Sequence, residues 1–328
     1  MWLHRFAQFV ALSTFTLILA GGMVTSTGSG LAVPDWPNSY GYFMFSFPLS
    51  SMVGGIFYEH GHRLIASTVG LLTIVLAVWL WRCDPRAWVR RLGVIALVAV
   101  IVQGTLGGLT VLYFLPAPVS IAHAGTAEIF FCLTVGLALF TSPGWIHGFS
   151  PAAAGPAEPN GDLERLTRLT IALVFAQILI GATMRHTGAG LAIPDFPLAF
   201  GRLVPPTWDF AIGIHFAHRV GAAAVLTVIT LTLRRAWGHR RRRPELTRPA
   251  ILLMVLVSIQ VTLGAFTIWT AKAPIVNTAH VGTGALVLVT SLYLALRTHR
   301  HRFETAVGDG VPIRDRNRPA TRPVEVGA

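Results

Sequence analysis

The stretch Gly21-Gly22-Met23-Val24-Thr25-Ser26-Thr27-Gly28-Ser29-Gly30-Leu31-Ala32-Val33-Pro34-Asp35-Trp36-Pro37 returns 160 residues later as Gly181-Ala182-Thr183-Met184-Arg185-His186-Thr187-Gly188-Ala189-Gly190-Leu191-Ala192-Ile193-Pro194-Asp195-Phe196-Pro197. Each copy closes an apolar run and opens a segment with Gly-x-Gly and Pro-Asp-aromatic-Pro. Proline and glycine fix turn geometry, so both segments read as shaped loops. The match continues downstream. His62-Arg63 returns as His218-Arg219, Gln103-Gly104-Thr105-Leu106-Gly107 as Gln260-Val261-Thr262-Leu263-Gly264, and Ala122-His123-Ala124-Gly125 as Ala279-His280-Val281-Gly282. A period sustained in this way marks an internal duplication.

What is duplicated follows from composition. The 328 residues are 53% hydrophobic and 12% charged, with mean hydropathy +0.61, outside the range of soluble domains. Runs long enough to cross a bilayer as helix occur at about 6–26, 64–82, 92–112, 119–141, 166–186, 210–233, 249–270 and 277–297. Eight spans shared by two copies give four per half. An even number leaves both halves in the same orientation, related by a pseudo-twofold axis along the membrane normal. The expected architecture is an all-α integral membrane protein of eight transmembrane helices, arranged as two parallel-repeat four-helix bundles. Residues 1–141 form the first half, 142–163 a linker with little to pack, 164–298 the second half, and 299–328 a disordered tail.

The net charge of +12 is distributed as membrane topology requires, not as a nucleic-acid surface. Arg82, Arg86, Arg90 and Arg91 follow the second span, Arg165 and Arg168 precede the fifth, and Arg234, Arg235, Arg240 to Arg243 and Arg248 separate the sixth from the seventh. The alternate loops offer only Arg202 and Lys272. The positive-inside rule then places both termini, the linker and the tail in the cytoplasm of a multi-pass cell-membrane protein. The first apolar run has features of a signal peptide, but its repeat partner lies inside the chain, so it reads as a retained helix. Cys83 and Cys132, the only cysteines, fall at a cytoplasmic helix end and inside a span. They are not placed to form a disulfide.

Within this apolar frame Tyr58-Glu59-His60-Gly61-His62-Arg63 is costly, and ionisable groups at membrane depth are functional candidates by default. His62 and His123 are 61 residues apart, His218 and His280 62. The second and fourth helix of each half therefore carry one histidine apiece near the outer face. A lone histidine on an apolar helix is more often an interhelical hydrogen bonder. Four at equivalent positions instead suggest two imidazole pairs, each clamping a planar cofactor through its metal, and haem suits them. Its propionates would turn toward the outer water layer or toward Arg63 and Arg219. Zinc would be short of ligands.

Glu59, at i−3 from His62, faces the same way, whereas its counterpart is His215. The carboxylate suits proton exchange or the stabilisation of developing positive charge, against a structural pairing with Arg63. His60, about 200° around the helix from His62, reads as an interface residue. Gln103 and Gln260 are expected to hydrogen-bond across helices, and Gly104, Gly107 and Gly264 to permit close approach. Asp35 and Asp195 read as turn carboxylates, and His147, His239, His299 and His301 as solvated cytoplasmic residues.

The Thr27–Pro37 loop, Glu59-His60-Gly61-His62-Arg63 and the single histidines of spans four, six and eight together resemble the haem A synthase family (CtaA-type) of cytochrome oxidase assembly, over about residues 1–298. The resemblance implies an oxidoreductase that converts the C8 methyl of haem O to a formyl group by successive hydroxylations, with water as the oxygen source. It implies Glu59 as the essential glutamate, His62 and His123 as ligands of the substrate haem, and His218 and His280 as ligands of a bound haem b. Haem O synthase, an unidentified electron acceptor and the lipid bilayer are the implied partners; homo-oligomerisation stays open. The first outer loop lacks the cysteine pair of some members, so chemistry relying on that pair is unavailable. Two other readings remain: a di-haem b electron carrier, and a transporter built on the same parallel repeat.

Overall fold

In the computed structural model, which describes residues 1–146, 161–241, 243–300 and 303, the apolar runs form eight long helices. These are α1 (Trp2–Ser26), α2 (Gly55–Cys83), α3 (Ala87–Leu112), α4 (Ala117–Phe140), α5 (Gly161–His186), α6 (Phe210–Trp237), α7 (Pro244–Trp269) and α8 (Pro274–Thr298). All eight are long and apolar enough to cross a membrane. Prolines occupy the first turn of α4, α7 and α8, where the missing N–H costs nothing. Asp209 caps α6, its carboxylate accepting the Ile212 amide at 2.7 Å.

Helices α1 to α4 pack in chain order and α1 closes on α4; α5 to α8 do the same. The two sets meet where α4 and α8 touch each other, α1 meets α8, and α4 meets α5. In α4 and α8, 56% and 44% of the most apolar window is buried, against 17–28% elsewhere. These two helices are therefore central, and the other six turn apolar side chains such as Leu71, Trp81 and Ile101 outward. Glycines let the sets approach. A Cβ on Gly125 of α4 would come 2.9 Å from Leu179 of α5, and one on Gly282 of α8 would come 2.5 Å from Leu19 of α1.

Several helices extend beyond their expected spans, most of all α2, which begins at Gly55 rather than near residue 64. Hydropathy marks the lipid-facing part only. The polar residues ahead of it stay helical because the 27–54 segment folds over them and satisfies them. That segment and its partner, 187–209, lie at one end of the helices, the long-loop end.

Both long loops repeat in three dimensions. Ser39 bridges Tyr42 and Ala199 bridges Arg202, and Trp36–Pro37 and Phe196–Pro197 are cis. Gly41 and Gly201 have φ of 78° and 73°, a left-handed conformation in which a side chain is strained.

Two expectations change at the opposite end. Trp145, in the Pro143–Ile146 turn assigned to the linker, is buried. It packs edge-on to Phe140 and beside Phe303, which also meets Trp88. Arg300 donates to the carbonyls of Gly144 and Trp145. The start of the linker and of the tail thus form an aromatic cluster. His299 is not solvated: its Nδ1 hydrogen-bonds to the Ala295 carbonyl, and its Nε2 lies 3.6 Å from Glu164. His239 bonds to the carbonyl of Arg235, while His147, His301, most of the linker and nearly all of the tail lie outside the described residues. Cys83 and Cys132 are free.

Replacing Gly282 by Leu should lower thermal stability in detergent by about 1–3 kcal/mol, the usual cost of overpacking. Gly70→Ala, where a Cβ meets nothing within 4 Å, should be neutral or slightly stabilising through helix propensity. Equal melting temperatures for the two variants would show that the α1–α8 contact is loose.

Candidate functional site

All four repeat histidines fall within the first three turns of α2, α4, α6 and α8, roughly 9–12 Å below the helix starts at 1.5 Å per residue. Each imidazole lies against a glycine of the preceding helix. A Cβ on Gly21 would meet His62 Cε1 at 3.0 Å, and one on Gly107 would meet His123 at 3.1 Å. On Gly181 it would meet His218 at 2.9 Å, and on Gly264 His280 at 3.2 Å. Gly107 and Gly264 thus permit close approach as expected; Gly104 faces open space and does not.

The rings are brought together in pairs. His218 and His280 have centroids 6.4 Å apart. A metal between two imidazoles needs about 6 Å, from metal–nitrogen bonds of about 2.0–2.1 Å and roughly 1 Å from nitrogen to ring centre. His62 and His123 occupy the equivalent places in the first half, each ring against its glycine. Among the described residues no three His, Cys, Asp or Glu side chains converge. Two imidazoles and no third protein donor suit a metal whose remaining ligands come from a macrocycle. The donor set and the glycine-lined rings fit haem in both halves.

The halves differ in how the rings are held. His280 Nδ1 donates to the Gln260 carbonyl at 3.2 Å, which leaves the Nε2 lone pair for a metal. Gln177 Nε2 donates to the His218 carbonyl at 2.7 Å and lies 3.0 Å from His218 Nδ1. In the first half Gln103 Nε2 donates to the His123 carbonyl at 2.9 Å, yet Nδ1 of both His62 and His123 is buried without a partner. The counterpart of Gln177 is Leu17, so no amide reaches His62 from that position. Each of Gln103 and Gln260 also lies near its histidine's Nε2, at 3.5 and 3.3 Å.

Glu59, 3% exposed, has both oxygens engaged. Oε2 accepts the Val33 amide at 2.7 Å and Oε1 accepts from Arg63 Nη2 at 2.6 Å. Its counterpart His215 does the same backbone work, its Nδ1 accepting the Ile193 amide at 3.2 Å. The expected alternative of a structural pairing with Arg63 is thus present. His60 is fully buried at the loop interface, sharing a 2.9 Å hydrogen bond with Ser39 and packing on Phe47.

Arg63 and Arg219, expected to face haem propionates, also hold the long loops. Arg63 also donates to the carbonyls of Asp35, Asn38 and Val33 at 2.6, 3.0 and 2.7 Å. Arg219 donates to those of Leu198, Asp195 and Ile193. Their Nη groups clasp the long loops, because the turns present several carbonyls that helix and sheet leave unpaired. Asp35 and Asp195 are the expected turn carboxylates. Desolvation works against the charge of Asp35, but the amides of Gly41 and Tyr40 outweigh it and hold the carboxyl below the usual aspartate range. The Gly201 and Phe200 amides do the same for Asp195.

The cytochrome oxidase assembly protein family model (COX15-CtaA) matches residues 4–292. This chain belongs to that family. Among its curated relatives, the heme A synthase of Symbiobacterium thermophilum is 32% identical, covering 76% of this chain and 79% of its own length. That of Geobacillus kaustophilus is 28% identical over 94% and 98%, and that of Novosphingobium aromaticivorans 26% over 89% and 94%. Gln177 lies against His218, Arg185 bridges from α5 to α1, and His186 follows it, three residues that the motifs alone do not single out. Comparing the copies position by position exposes them, since they replace Leu17, Thr25 and Ser26.

Arg63→Gln should cost about 3–5 kcal/mol by leaving Glu59 buried and unpaired, and should make residues 27–54 protease-sensitive. Arg219→Gln, which strands no carboxylate, should cost less; equal losses would deny the pairing its weight. Because the two aspartates titrate low, their turn bonds are fully present above the ordinary aspartate pKa and fail as pH falls through the lower folded-state values. Amide exchange at Tyr40, Gly41, Phe200 and Gly201 should therefore stay protected at pH 5 and open only below about pH 4. Opening between pH 7 and 5 would contradict that assignment.

Proposed function

We propose that this protein is a haem A synthase, which oxidises the C8 methyl of haem O to a formyl group by successive hydroxylations with water as oxygen source, during cytochrome oxidase assembly. The observation that carries the reading is the pair of duplicated imidazole clamps, set in a chain that matches the family over residues 4–292. In this reading His62 and His123 hold the substrate haem O, and His218 and His280 hold haem b. Haem b, when bound, supplies one-electron transfer toward an acceptor outside the chain.

The asymmetry of the rings supports this division. Hydrogen bonds to a ligating histidine's second nitrogen fix the ring and strengthen its hold on a metal. His280 donates such a bond, as a resident cofactor requires, and Gln177 steadies the His218 backbone through its carbonyl; His62 and His123 have no partner at Nδ1, which suits a porphyrin that arrives as substrate and leaves as product. Each hydroxylation adds the oxygen of a water and releases two electrons and two protons. Glu59 is the proposed catalytic residue. Both its oxygens already accept hydrogen bonds, so of its two roles the geometry favours the steadying of positive charge developing at the methyl over proton uptake. Arg63 and Arg219, with the loops they clasp, would cover the haem edges and exclude bulk water.

The proposed topology places the long-loop end outside and both termini in the cytoplasm, supported by the arginine distribution. The proposed domains are the first half, 1–141, and the second, 164–298, with haem O delivered by a partner such as haem O synthase. Purified membranes should yield haem b together with haem O or haem A. His218→Ala or His280→Ala should remove the haem b low-spin signal, whereas Glu59→Ala should keep haem O and stop its oxidation. Haem b as the sole pigment would make the protein an electron carrier, and normal haem A output from the Glu59 variant would remove that residue from the chemistry.

A further inference from the structure

Five basic residues stand at the long-loop end: Arg63, Arg185, Arg202, Arg219 and Lys272. Arg63 and Arg219 clasp the loops, and Arg202 and Lys272 are exposed. Arg185 differs from all of them. It is half-buried at the last turn of α5 and crosses to the other half, where Nη2 donates to the Gly22 carbonyl at 3.0 Å and to Ser26 Oγ at 2.9 Å. Ser26 Oγ also takes a hydrogen bond from Asn277 Nδ2 at 3.2 Å and shares one with Thr278 Oγ1 at 3.1 Å. The knot therefore joins α1, α5 and α8 within one turn of His280.

Every group that Arg185 bonds is neutral. Among the described residues it has no ion-pair partner. The acidic side chains of this end are engaged elsewhere: Glu59 with Arg63 and the Val33 amide, Asp35 and Asp195 with turn amides, Asp209 with the Ile212 amide. A guanidinium held in an apolar seam without an anion is costly, and its planar fork matches a carboxylate. Its repeat counterpart is Thr25, so no equivalent cation stands at that place in the other half.

We infer that Arg185 is a positioning residue whose anionic partner is a propionate of the porphyrin clamped by His218 and His280. This rests on the haem b assignment above. Arg185 locks the cofactor to the seam between the halves, and its positive charge favours the reduced iron.

The test uses full-length protein in haem-depleted membranes, titrated with haem b and with its dimethyl ester, whose propionates carry no charge. The unmodified protein should bind haem b about tenfold more tightly than the ester, the scale of one charge-assisted hydrogen bond. Arg185→Gln should lose that preference and show a lower haem b reduction potential; Arg185→Lys, which keeps charge but not fork, should fall between. A glutamine variant that retains both the preference and the potential overturns the inference and leaves Arg185 a strut between helices. Should that variant not accumulate, a lysine variant that discriminates between the two ligands as well as the unmodified protein does would overturn it equally. If haem b binding is absent, or persists after His218→Ala, the underlying site assignment fails instead, and this inference falls with it.

Discussion

An imidazole ring resting on the bare Cα of a glycine one helix away is the contact on which this molecule depends. It occurs four times, at Gly21, Gly107, Gly181 and Gly264. Any side chain at those positions would come within 2.9–3.2 Å of a ring carbon, so the ring would have to swing out of line. In a membrane, where helices gain little from hydrophobic association, small residues set how closely backbones approach. Here they also set where a metal ligand points. The spacing of the imidazole pairs follows from helix packing, and that packing follows from four missing methyl groups.

The loops complete the arrangement by satisfying what the helices bring into apolar surroundings. Glu59, His60 and Arg63 would each be expensive alone at the top of α2. They are tolerated because Val33, Ser39 and the Asp35–Asn38 turn supply their partners. In return the polar side chains give the loop a fixed shape over the site, which an 11-residue motif rich in Gly and Pro could not hold alone.

Much of this was legible in the residues. The apolar runs gave the helix number, and the repeat gave the resemblance between the long loops and the matched histidine spacings, because each is a matter of type and spacing. Asp35 and Asp195 were readable as turn carboxylates for the same reason. Hydropathy failed at the start of α2, where polarity signalled a helix mouth and the loop fold made it helix interior. That Arg63 and Arg219 also hold the long loops was not readable, because the number of carbonyls a turn presents is a three-dimensional fact. Trp145 and Phe303, lone aromatics in polar stretches, gave no pattern to follow. Gln177 and Arg185 were visible as differences between the copies, but their partners, on α6 and on α1, were not.

The seam between the helix sets carries a consequence of its own. Gly125 of α4 meets Leu179 of α5, and Gly282 of α8 meets Leu19 of α1; the partners are the same two residue types with their origins exchanged. That is the signature of a self-complementary surface. A lone ancestral unit of four spans would already have owned both sides of such a joint, and could have assembled with a sister chain before any fusion. The two copies now differ near that joint, with Leu17 standing where the second half has Gln177 and Thr25 where it has Arg185.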